Sequence, residues 1–239
     1  MSDVKSAETV AVSIDAVEIE AQAGSTILAA AGEAGIYIPH LCYHEDLIPG
    51  GHCRVCTVKV NGKATNACTM EVAEGLVIEN NSDDLNQERR HIIEMLFVEG
   101  NHVCPCCEKS GNCELQALAY RLGMLAPGYP YLFPKKEVDG SHPDFYIDRN
   151  RCILCGRCVR ASRQKDGKYV FSFHGRGIGK KIIVDGERLS QTDLSRSDKA
   201  PSYCPTGSLM EKHVGYAMPF GTRKYDREPI GSDIEKERQ

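Results

Sequence analysis

No apolar run in this 239-residue chain approaches the roughly 20 residues that span a bilayer, which argues against a membrane helix. Met1–Glu8 is polar, and an alternating run follows it rather than an apolar core with a cleavage site, so no export signal is expected. The net charge of −4 lacks the strong positive balance of a nucleic-acid binder. Gly175-Arg176-Gly177-Ile178-Gly179 lacks the Gly-x-Gly-x-x-Gly spacing of a dinucleotide loop and a surrounding strand–turn–helix. A turn between two strands is expected there, and no nucleotide site anywhere. There is no internal repeat, and no nucleophile paired with a base. What the chain does have is twelve cysteines. Without an export signal these are expected to be reduced and available to metal, in a cytoplasmic protein of two or three small domains.

Cys152, Cys155 and Cys158 recur every three residues in Arg151–Cys158, and Cys204-Pro205 supplies a fourth thiolate. Cys-x2-Cys-x2-Cys followed by Cys-Pro is the spacing of a ferredoxin-type 4Fe–4S site. Structural zinc sites use separated Cys-x2-Cys pairs instead. Phe145–Ile147 leads into this loop as an extended segment. Val170–Phe173 and Lys181–Val184 read as short strands, and Arg188–Lys199 as a polar surface helix or loop.

In the first part of the chain, Val10, Val12 and Ile14, then Val17 and Ile19, alternate as a hairpin with one buried face. Ser25 or Thr26 caps a short helix over Ile27–Ala34 that stops at Gly35. Cys42, Cys53, Cys56 and Cys68 follow in the pattern Cys-x10-Cys-x2-Cys-x11-Cys. Hairpin, helix and cysteine loop is the order of a β-grasp ferredoxin domain with a 2Fe–2S cluster. The first gap is longer than the four residues of plant-type ferredoxins. Gly50 and Gly51 allow the tight turn that aims amide N–H groups at cluster sulfur. Four cysteines saturate this site, which makes His52 an ordinary loop histidine. Asn61-Gly62 marks a second hairpin.

The middle of the chain opens on a helix capped near Ser82, with Leu85, Ile92, Ile93, Leu96 and Phe97 on one stripe and His91 as an ordinary helical residue. His102, Cys104, Cys107 and Cys113 then place four soft or borderline ligands within twelve residues. On local spacing alone, this set fits either a 4Fe–4S cluster or a structural zinc ion. Adjacent cysteines rarely both reach one centre, so Cys106 is expected outside the ring. Leu115, Leu118 and Leu122 continue at helical spacing to Gly123.

Three different sites in series, with no substrate-converting constellation, describe an electron wire. A neutral His102 in place of a thiolate removes one negative charge from the middle site. Arg54, Arg151, Arg157 and Arg160 sit in or beside the cysteine loops, either as solvated charge or as compensation of cluster charge. The final Gly221–Gln239 is charged and punctuated by proline and glycine. It is expected to lie on a partner or move freely.

Cys42–Cys68, His102–Cys113 and Cys152–Cys158 with Cys204-Pro205 resemble the N-terminal region of the large iron–sulfur subunit of respiratory complex I. With Glu99–Cys104, Cys107–Gln116 and Lys212–Tyr216, nearly the whole chain resembles the small diaphorase subunits of cytoplasmic NAD-reducing nickel–iron hydrogenases. In complex I the histidine precedes its first cysteine by three intervening residues, whereas here only Val103 intervenes. The resemblance implies an α+β chain of three units. They are a β-grasp 2Fe–2S domain (1–80), a small helical domain with a histidine-plus-three-cysteine 4Fe–4S site (81–137) and a ferredoxin-like 4Fe–4S domain with a tail (138–239). It also implies a hetero-oligomer with a diaphorase subunit binding FMN and NAD and with small and large hydrogenase subunits bearing the nickel–iron centre. An equivalent wire in a complex I-like, formate dehydrogenase or iron-only hydrogenase assembly stays open, as does a zinc-stabilised scaffold.

Overall fold

A computed structural model describes residues 8–236. Strand β1 (Thr9–Ile14) and strand β2 (Val17–Gln22) form the expected hairpin, with Val12 and Ile14 on its buried face. Helix α1 (Ile27–Glu33) starts where the Thr26 hydroxyl accepts from the Ala29 N–H at 3.2 Å. This side-chain oxygen satisfies one of the unpaired donors of the first turn. Gly35, at φ +71°, turns the chain out of the helix. Strands β3 (Thr57–Val60) and β4 (Lys63–Asn66) flank the Asn61-Gly62 turn, and β5 (Val77–Glu79) follows. Together they make one sheet in the order β2-β1-β5-β3-β4, with β5 parallel to β1 and antiparallel to β3. Val12, Ile14, Val58, Val60 and Ile78 bury against α1 residues Ile27, Leu28, Ala30 and Ala31.

Helix α2 (Asp83–Val98) begins at Ser82, but the Ser82 hydroxyl donates to Glu79 and Asp84 rather than capping a helix N–H. Arg89, on its inner face, is 1% exposed and bonds the carbonyls of Thr57 and Asn80 at 2.8 Å. This ties α2 to the first sheet. Helix α3 (Glu114–Arg121) packs Leu115 and Leu118 against Ile93 and Phe97 of α2.

The last part carries β6 (Val138–Asp139), β7 (Phe145–Asp148), helix α4 (Arg157–Gln164), β8 (Phe171–His174), β9 (Lys181–Val184) and β10 (Leu209–Glu211). Their sheets are β10-β7-β6 and the hairpin β8-β9, and the expected glycine turn joins the two hairpin strands. Arg188–Lys199 is a loop pinned by buried Leu189 and Leu194.

The described part of the tail is held on this chain and carries α5 (Ser232–Lys236). Arg223, 3% exposed, donates to the carbonyls of Ser110 and Met218. Arg121 donates to the Ile230 carbonyl at 2.8 Å and pairs with Glu235. Gly231, at φ +91°, lies so close to the Tyr37 ring that a Cβ there would overlap it. Among the described residues, no helix is long and apolar enough to cross a membrane.

Candidate iron–sulfur sites

All twelve cysteines lie among the described residues, and none forms a disulfide. Eleven of them, with His102, fall into three groups along the chain; among the described residues no three such side chains converge tightly enough to hold a single metal ion.

In the first group, the Cys42 N–H donates to Cys53 Sγ at 3.3 Å. The thiols of Cys53 and Cys68 also reach the Cys42 sulfur, and Cys56 reaches Cys68, so the four sulfurs form one connected set. Sharing of hydrogen bonds from Cys53 and Cys68 depresses the Cys42 thiol, while the Cys68 thiol is pushed up by giving hydrogen bonds to Cys42 and Cys56. The loop is anchored to α1 by backbone bonds from Leu28 to Ala67 and from Ala67 to Cys56. Arg54, directly after Cys53, holds φ +62°, the left-handed region that side chains seldom adopt. His52 is exposed, with its ring edge-on to Phe173 at 5.7 Å.

In the second group, a single 3₁₀ turn over Cys104–Cys106 sends Cys104 and Cys107 into one narrow pocket. Cys113, the residue that starts α3, faces them across it, and His102 lines its wall. Cys106 is exposed and outside the pocket, as expected of the odd cysteine, and its carbonyl accepts from the Tyr216 hydroxyl at 2.9 Å. The His102 ring bonds the Leu96 carbonyl and lies 5.2 Å from the Phe97 ring. Its Nε2 is buried without any partner. Burial, aided by Lys136 and Arg151, lowers the His102 pKa to about 4, so the imidazole is neutral and that nitrogen offers a lone pair. A buried lone pair beside three thiols is what a soft metal centre would satisfy.

In the third group, Cys152, Cys155, Cys158 and Cys204 line one narrow pocket. Leu154 at φ +54° and Gly156 at φ +70° put left-handed turns between the cysteines. Alternating turns of this kind aim successive backbone N–H groups into one concavity, which suits an anionic cluster. Strain in both loops falls at the sites themselves.

The second and third groups share a wall. Thr206 lines both pockets, and its hydroxyl donates to the Arg151 carbonyl at 2.8 Å. A Cβ on Gly207 would stand 2.8 Å from Cys107 Sγ, so only glycine lets this strap pass. The Glu114 N–H donates to the Pro205 carbonyl at 2.9 Å, and Arg157 binds the Glu114 carboxylate through two bonds of 2.7 and 2.6 Å. Arg160 reaches back to the first group, donating to the carbonyls of Cys42 and Ile48. Arg157 and Arg160 are therefore structural links between sites, whereas Arg54 is exposed. Cys42, Cys113 and Cys155, one from each group, sit in the same buried cluster.

Burial pushes the Cys113 and Cys155 thiols up to about 12. Iron binds the thiolate, so these protons must leave on loading. Below the raised pKa the proton competes with iron, and each unit of pH removes some of that competition. Anaerobic loading of the iron-free chain should therefore tighten by about tenfold per pH unit for each proton displaced, between about pH 6.5 and 8, where thiols are protonated whether buried or freed. Visible absorption follows the loading, and affinity that is flat or falling with pH would contradict thiolate ligation.

Comparison with known proteins identifies three iron–sulfur regions along the chain. Residues 7–83 match the model of a 2Fe-2S iron-sulfur cluster binding domain. Residues 89–127 match the NADH-ubiquinone oxidoreductase-G iron-sulfur binding region, and residues 143–210 the ferredoxin-like domain of NADH-quinone oxidoreductase subunit 3. Each match contains one group of candidate ligands. The gamma subunit of the NAD-reducing hydrogenase HoxS from Cupriavidus necator is 41% identical over 93% of this chain and 95% of its own length. The mitochondrial NADH-ubiquinone oxidoreductase 78 kDa subunit of Candida albicans is 32% identical over 94% of this chain, which spans only 32% of that protein. A chain in a crystal structure of NAD+-reducing [NiFe]-hydrogenase in the H2-reduced state superposes with a TM-score of 0.91 at 43% identity, covering 96% of this chain and 98% of its own. With three iron–sulfur regions matched in order and a relative shared from end to end, this chain belongs to the family of NAD-reducing hydrogenase gamma subunits.

Proposed function

We propose that this chain is the electron-transfer subunit of an assembly that oxidises hydrogen and reduces NAD. Cys42, Cys53, Cys56 and Cys68 hold a 2Fe–2S cluster in a β-grasp unit (1–80). His102, Cys104, Cys107 and Cys113 hold a 4Fe–4S cluster in a helical unit (81–137). Cys152, Cys155, Cys158 and Cys204 hold a second 4Fe–4S cluster in a ferredoxin-like unit (138–239). The observation that carries this reading is the single buried cluster into which one cysteine from each group is packed. The orphaned His102 Nε2 supports cluster ligation at the middle site, and the order β2-β1-β5-β3-β4 supports the β-grasp unit. When bound, such clusters accept and release one electron at a time at potentials set by their surroundings.

The residues of this chain keep water from the sulfur, supply amide donors and fix the spacing of the sites. Substrate conversion belongs to the partners: a flavin- and NAD-binding diaphorase subunit on one side and nickel–iron hydrogenase subunits on the other. The relative's designation as a gamma subunit supports a hetero-oligomer, and we place that assembly in the cytoplasm.

Cys155→Ala in the assembled complex should lower hydrogen-driven NAD reduction at least about 100-fold. Hydrogen oxidation with a dye and NADH oxidation with a dye should both persist, because each bypasses this chain. Coupled turnover at the wild-type rate would sink the proposal.

A further inference from the structure

Glu114 follows Cys113, a candidate ligand of the second site, and Arg157 lies between Cys155 and Cys158 of the third. The two side chains, 43 residues apart in sequence, form a two-bond ion pair in which Arg157 is 2% exposed and Glu114 23%. Both Arg157 Nη atoms are spent on the carboxylate, while its Nε–H is a buried donor with no protein partner. A buried N–H left without an acceptor is costly, and the Arg157 charge lies close enough to Cys155 to act on that thiol. The pair is also a fixed dipole inside the protein, where opposite charges are weakly screened. Its positive end belongs to the third cysteine loop and its negative end to the residue beside Cys113.

We infer that the Glu114–Arg157 pair sets the difference in reduction potential between the second and third clusters, drawing the electron toward the third. This rests on the functional reading above. A positive charge beside a cluster favours its reduced, more negative state, and a negative charge opposes it. Arg157 therefore raises the potential of the third cluster and Glu114 lowers that of the second. The pair also lines a cleft with His40, Tyr43 and His44 around Cys42, so the first cluster is read as a third response and not as a fixed reference.

The test is an EPR-monitored redox titration of the iron-loaded full chain. In the double variant Glu114→Leu/Arg157→Met, which removes both charges without stranding one, the third potential should fall and the second rise. Each shift should approach a tenfold change in the reduction equilibrium, ~59 mV for one electron. Glu114→Gln, which keeps an acceptor for Arg157 and needs no repacking, should move both potentials upward. Arg157→Lys, which keeps the charge but not the two-bond geometry, should hold the third potential near wild type.

Unchanged potentials in the double and Glu114→Gln variants would overturn the inference. So would equal shifts of all three clusters, or an Arg157→Lys shift as large as that of the double variant. A wild-type chain without three clusters would instead defeat the functional reading, and the inference with it.

Discussion

Anaerobic removal of iron should abolish cooperative unfolding of residues 89–127 while leaving the first sheet folded. The reason lies in where apolar surface is buried. The first sheet and α1 share sixteen buried residues, of which only Cys56 and Cys68 are candidate ligands, so most of that core survives without metal. Between Asn101 and Asn112, by contrast, the only regular element is the three-residue turn at Cys104–Cys106. The loop from Cys152 to Gly156 has none, and Cys204–Ser208 has none. These stretches line the two pockets, and the α2–α3 packing leans on them through Cys113, Cys155 and Ile153. Where a metal centre replaces a core, its binding energy becomes folding energy, on the order of 10 kcal/mol for small structural sites. Hydrogen exchange should show protection lost at Ile93, Leu115 and Leu118 and retained at Val12, Val58 and Ile78. Equal protection at all six positions before and after stripping would refute this division.

The second large effect is electrostatic. His102→Cys should lower the potential of the middle cluster, because a thiolate adds a full negative charge where a neutral imidazole stood. The imidazole is neutral at pH 7, since burial holds its pKa near 4. Rieske centres, with two histidines in place of two cysteines, lie a few hundred millivolts above plant-type ferredoxins. Half of that gap gives a fall of roughly 100–300 mV for one exchange. A cysteine side chain is shorter than histidine, and the chain between Gly100 and Cys104 must move inward to deliver it. Gly100 sits tightly against the His102 ring and the Asn150 carbonyl, with a Cβ there 2.6 and 2.7 Å from them. The variant therefore also needs iron analysis to confirm that the cluster is held. An intact cluster whose potential stays or rises would remove His102 from the ligand set.

Sequence disclosed the cysteine groups because ligand spacing is itself the geometry of a site. It disclosed the first hairpin, α1 and the Asn61-Gly62 turn because alternation, a Thr26 cap and a turn dipeptide act within a few residues. Contacts made at long range left no such trace. Helix α4 was invisible since its buried face includes Arg157 and Ser162, and a charged residue reads as solvent-facing. The tail's attachment to this chain is hidden for the same reason: Arg223 and Arg121 anchor it through backbone carbonyls. Leu189 and Leu194 pin a stretch that otherwise reads as polar surface. Glu114 carries no local mark of its role, although it adjoins Cys113, because its partner is 43 residues away. The shared wall at Thr206-Gly207 likewise depends on how two loops meet. For His102, sequence offered both iron–sulfur and zinc ligation, and the buried, unpartnered Nε2 supplies the physical reason to place it in the ring.

The central claim is that the sulfur atoms of this chain hold three electron carriers. Iron and acid-labile sulfide should be measured on the anaerobically purified chain, together with EPR after dithionite reduction. About ten iron and ten sulfide atoms per chain, with three distinguishable signals, are the expected result for one 2Fe–2S and two 4Fe–4S clusters. A colourless protein carrying zinc, without sulfide and silent by EPR, would contradict it.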